Sequence, residues 1–168
     1  MRSKLAPYLT KVLISLVVFA LALPVLKAEP NPKRQFRIEG GWLFTVTPPI
    51  GSPGPASFSA LDTFAAGGGW SGVSSADPPS SVSPAHGTWK YVKDYFVVTQ
   101  VAFGYDSSGN PTGRIIIHKQ VHFTGPNTLE GTSTISFCDL AGENCFSPPG
   151  HAEVSAVRIL AEGPTQQL

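Results

Sequence analysis

Two long runs rich in β-branched and aromatic residues, Tyr95 to Tyr105 and Gly113 to Phe123, flank the segment Asp106-Ser107-Ser108-Gly109-Asn110-Pro111-Thr112. No other feature constrains the fold as strongly. Gly and Asn accept positive φ, Asp bonds the backbone ahead of it, and Pro presets φ, so the segment has what a tight connection needs. The two runs are therefore expected to pair as an antiparallel hairpin. With Tyr105 opposite Gly113, Phe103 faces Ile115, Val101 faces Ile117, Val97 faces Val121 and Tyr95 faces Phe123 on one side of the sheet. That apolar side is the expected core. The reverse side pairs Gln100 with His118, Val98 with Gln120 and Phe96 with His122, with Arg114 and Ile116 further along.

Six more runs read as strands: Gly41 to Thr47, Ser57 to Ala66, a shorter piece around Trp70 to Ser74, Gly87 to Val92, Thr128 to Phe137 and Val154 to Ala161. Turn clusters separate them. Asp77 to Pro84 holds three prolines, which lack an amide hydrogen and restrict the residue before them, so it is a loop. No helical period is sustained after residue 28. The chain is expected to be all-β, an antiparallel meander of about eight strands. Closing it into a barrel leaves no unpaired edge; a β-sandwich is the alternative. At eight strands a barrel interior is just wide enough to be filled by side chains or to hold one small ligand.

The chain opens with Arg2, Lys4 and Lys11 and then the uncharged apolar stretch Val12 to Leu23, which is short of the ~20 residues that cross a bilayer. This pattern reads as a signal peptide, residues 1–28, cleaved near Ala28. A flexible leader (29–37), the barrel domain (38–163) and a disordered tail (164–168) follow. The mature protein is expected to be secreted or periplasmic, with no stable membrane span after cleavage. Cys138 and Cys145 lie close together in a chain that leaves the cytosol, so a disulfide closing a short loop is expected. Twelve Lys and Arg against eleven Asp and Glu, scattered without a basic block, make nucleic acid an improbable partner.

Gly40-Gly41-Trp42, opening the first strand, resembles the Gly-x-Trp start of the lipocalins and related calycin barrels. His86-Gly87-Thr88-Trp89, the run Phe96 to Asp106, Gly109, Asn110, Gly113 and Gly131 resemble a set of uncharacterised secreted bacterial proteins with a lipocalin-like or allene-oxide-cyclase-like barrel. The resemblance spans about residues 38 to 162 and implies a fold, not a reaction.

No catalytic residue set is recognisable. Gly69-Trp70-Ser71-Gly72 lacks the final glycine of a nucleophile elbow, and the glycines before Trp70 lack the Lys and Ser of a phosphate loop. His118 and His122 would share a metal ion on a helix, but on a strand they lie about 13 Å apart, too far for ~2.1 Å bonds, so no metal site is assigned. No cofactor is implied. The polar stripe Gln100, Arg114, His118, Gln120 and His122 is the candidate for orienting a ligand, or else a solvated exterior. Trp42, Trp89 and Phe103 are candidate apolar ligand contacts that serve equally as core. Trp70 is placed to cover a barrel mouth. The apolar centre of the reverse side, Phe96, Val98, Ala102 and Ile116, implies either a second subunit packed on it, hence a homo-oligomer, or a bound apolar ligand. Three functions remain open: a barrel binding a small apolar molecule, a cofactor-free cyclase or isomerase, and an interaction domain with a filled core.

Overall fold

The structure, a computed structural model, describes residues 36–162; the expected signal peptide, most of the leader and the tail lie outside them. Eight strands follow in order: β1 (Gly40–Thr47), β2 (Phe58–Phe64), β3 (Gly69–Ser74), β4 (Ala85–Val92), β5 (Tyr95–Tyr105), β6 (Pro111–Gly125), β7 (Thr128–Cys138) and β8 (Ala152–Arg158). Each pairs antiparallel with its neighbour, and β8 returns to β1, so the meander closes into a barrel without free edges. Among the described residues no helix is long and apolar enough to cross a membrane.

Strict alternation fills the interior. Trp42, Phe44 and Val46 of β1, Phe64 of β2, Trp70 of β3, Val98 of β5, Val121 of β6, Leu129 of β7 and Val154 and Ala156 of β8 are all buried, while their chain neighbours point out. Trp70 is thus an inward residue and not a cover over the mouth. Gly87 and Gly131 lie where strands approach most closely: a Cβ on either would run into the carbonyl oxygen of Thr99 or Gln120 on the adjacent strand.

The hairpin forms where expected, in a register one residue away. Asp106 closes the turn through the Asn110 carbonyl and takes hydrogen bonds from the Ser108 and Asn110 amides, with Gly109 at φ 82°. The turn therefore ends at Asn110, Pro111 is the first strand residue opposite Tyr105, and a bulge between Gly104 and Tyr105 sets the rest. Phe103 faces Arg114, Gln100 faces Ile117 and Phe96 faces Val121. A slip of one turns a strand over. On β5 the inward residues are Phe96, Val98, Gln100 and Ala102, and the expected core residues Tyr95, Val101 and Phe103 point out. The β6 phase is as expected. The apolar patch read as a reverse side is in fact interior, apart from Ile116.

The two ends differ. At one end the connections 65–68, 93–94 and 126–127 are short; at the other, segments 48–57, 75–84, 106–110 and 139–151 join the strands. Within the last, a disulfide links Cys138 to Cys145, and Asp139 accepts hydrogen bonds from Glu143 N and Asn144 Nδ2.

Candidate functional site

The short-turn end is plugged. Trp42 is fully enclosed, donates its indole N–H to the Ile38 carbonyl at 2.7 Å, and lies under the Arg158 guanidinium at 4.2 Å. Arg158 in turn donates to the carbonyls of Glu39 and Arg37, which holds the entering segment across the barrel end. Around it Phe36, Phe123, Phe96, Trp89 and Phe64 stack in tilted and edge-on pairs with centroids 5.3–6.1 Å apart. Trp89 also donates to the Ala65 carbonyl. Trp42 and Trp89, two expected ligand contacts, therefore belong to the closure.

Above the plug sits a buried ion pair. Lys119 Nζ donates to Asp62 Oδ2, and both side chains are almost fully enclosed. The ammonium rests 4.0 Å from the centroid of Phe44 and 5.6 Å from that of Trp70, so aromatic faces replace part of its lost hydration. Burial pushes the Asp62 carboxyl above its ordinary value, against the attraction of Lys119. The Trp70 indole N–H is buried beside it and favours the charged form more weakly, yet lies outside hydrogen-bonding geometry. The pair went unread because its members are 57 residues apart. One signal was available: Lys119 is the single charge in the phase of Ile115, Ile117, Val121 and Phe123.

Toward the long-loop end the inward residues become small or aliphatic. Ala60, Ala85, Ala102 and Ala152 occupy the wall, and Ile115, Ile117 and Ile135 are only half-buried although they face inward. Gln100 enters this space beside Ile117. It is 5% exposed, and its amide makes no hydrogen bond among the described residues. Its polar atoms are not among the fully enclosed ones that lack a partner, so the amide keeps contact with solvent-accessible space and is able to meet a further hydrogen-bonding group. The inward side thus runs from an aliphatic wall with one polar amide, at the long-loop end, down to the buried ion pair.

The remaining stripe residues are on the outer wall, so the expected five-residue stripe is not one surface. His118 Nδ1 shares a hydrogen bond with Thr99 Oγ1 at 3.1 Å, while His122 packs edge-on to Tyr95 and its buried Nδ1 has no partner. His118 and Gln120 border a depression of about 310 Å³. Arg114, Phe103 and His86 border another, of about 490 Å³, walled by Ser83, Pro84 and Val101. Both depressions are open to solvent along much of their length, and the second is fixed by Ser83, which accepts the Phe103 amide at 2.9 Å. Among the described residues no three His, Cys, Asp or Glu side chains gather to hold a metal ion.

Comparison with family models, with curated proteins and with solved structures returns no match to this chain.

Proposed function

We propose that this chain is an exported binding barrel that takes one small, mostly apolar molecule through its long-loop end. The apolar body would lie along Ile115, Ile117 and Ile135, and a hydroxyl or carbonyl would meet the Gln100 amide. The observation that carries this reading is the inward Gln100 amide, without a hydrogen-bond partner among the described residues yet still reached by solvent, beside half-buried isoleucines and above a floor that is already filled. Export is supported by the N-terminal charge and apolar pattern and by the disulfide, which persists in oxidising compartments.

A second reading has one specific support. Asp62, with its raised pKa and its lysine partner, lies inside the barrel between the plug and Gln100, and perturbed carboxyls of this kind cluster at catalytic sites. A cofactor-free isomerase would use it on a bound substrate. The two readings separate on whether a bound molecule leaves unchanged.

Native mass spectrometry of the mature protein from its host's secreted fraction, before and after organic extraction, tests the proposal. An extra mass that disappears on extraction, and that the Gln100→Leu variant retains at least tenfold more weakly, is the expected result. A bare mass in both proteins would leave a filled barrel acting as an interaction domain.

A further inference from the structure

The outer face of β8, β1, β2 and β3 carries one continuous aliphatic row. Val157 lies directly opposite Leu43, Leu43 opposite Leu61, and Leu61 opposite Val73, so four adjacent strands present four side chains in register. All four point out, with exposures of 52, 40, 49 and 48%. Ile159, 53% exposed, packs over Gly41 beside Leu43 and lengthens the row. The neighbouring rows hold only small uncharged residues: Ser155, Thr45 and Ser59 toward the long-loop end, and Gly41, Thr63 and Ser71 toward the plug. Ionisable side chains resume at the edges of this wall: Glu153 on β8, Glu130 opposite Ser155 and His86 opposite Ser71. Exposed aliphatic residues scattered singly are ordinary, but a contiguous row is not.

We infer that this wall is where a second copy of the chain packs, with a two-fold axis through the Leu43–Leu61 pair. In a two-fold contact each surface meets itself, so any charge near the axis faces its like. A self-pairing face must therefore be neutral at its centre, and this wall is. The wall of β4–β6 carries Lys90 and Arg114, and two copies of it would bring like charges together. Size sets its strength. Four strands ~4.8 Å apart and ~20 Å tall give about 400 Å² in flat projection. That is below the ~600–800 Å² per partner of the smaller specific interfaces. The association is accordingly weak and concentration-dependent, and it leaves the long-loop ends of both barrels open.

Sedimentation velocity of the disulfide-bonded mature chain tests this. At high concentration the expected mass is twice that of the chain, falling toward the monomer on roughly hundredfold dilution. L61K alone and L61D alone should each sediment as monomers at every concentration, with thermal unfolding close to wild type because Leu61 is outward. Mixing L61K with L61D should restore the dimer. A wild-type protein that stays monomeric throughout, or an L61K variant that still dimerises, overturns the assignment. So does a monomer whose wall instead adsorbs to neutral phosphatidylcholine vesicles.

Discussion

Lys119 and Lys90 are both strand lysines of one barrel, a strand apart, and they live under different rules. Lys119 points in, has lost its water, and is held by Asp62, Phe44 and Trp70; Lys90 points out and is exposed. The same contrast runs through every strand, since successive residues take opposite faces. Inward positions are constrained by packing and by partners for each polar atom. Outward positions are free of both, so what they carry reports on other molecules. This is why the aliphatic row on β8–β1–β2–β3 and the enclosed, unpartnered indole N–H of Trp70 stand out: each breaks the rule of its own side.

The contrast can be broken most directly at its charged centre. Lys119→Ala leaves a buried carboxylate without its partner and should cost about 3–5 kcal/mol, whereas Lys90→Ala should stay within about 0.5 kcal/mol of wild type. Urea unfolding measures both, and equal effects would remove the distinction between the faces. Replacing the pair together, Asp62→Leu with Lys119→Met, should be neutral or even stabilising, because an apolar pair avoids the desolvation that the ion pair carries.

Glycines sharpen it next. Gly131→Ala forces a Cβ against the Gln120 carbonyl and should cost about 1–3 kcal/mol, while at Gly41 the added methyl meets Ile159 at an ordinary 3.5 Å and should change little. Thermal unfolding of the two variants reads the difference.

The smallest effect is in pH. Burial raises Asp62 above the 3.8 of a free carboxyl, so its contribution to stability is complete below that value and is lost as pH rises through the folded pKa. Asp106, exposed, and Asp139, half-buried, are held below 3.8 by turn hydrogen bonds, first from Asn110 and from Asn144 respectively. Their contribution is present above 3.8 and is lost as pH falls through their folded values. Carboxyl-carbon NMR titration should place Asp62 on one side of 3.8 and the two turn carboxyls on the other. An Asp62 midpoint below 3.8 would mean that Lys119 outweighs burial.

Turn chemistry made the fold legible. Asp106 to Asn110, the Pro-rich loop before β4 and the runs between them placed all eight strands and their order, because each signal is local. The faces of β5 were not legible for a physical reason. Tyr95, Val97, Val101 and Phe103 in one phase are as apolar as Phe96, Val98 and Ala102 in the other, so alternation could not choose, and a single bulge at Gly104 decided it. The site was half legible: Gln100 was singled out, but in the company of His118, Gln120 and His122, which the register sends outside. Asp62 and Lys119 meet only through the closure of the barrel, a long-range event that no local pattern encodes. The functions of Trp42 and Trp89 depend likewise on which end the chain seals.

The proposed binding takes place inside the barrel, at the long-loop end. Methyl NMR of the mature protein, titrated with a series of long-chain primary alcohols and with the lipid extract of its host, measures this residue by residue. Saturable shifts are expected at Ile115, Ile117 and Ile135 and at the Gln100 side-chain amide, with Leu61 and Val73 unmoved. Shifts confined to Leu43, Leu61 and Val73, or no saturable shift with any of them, would contradict it.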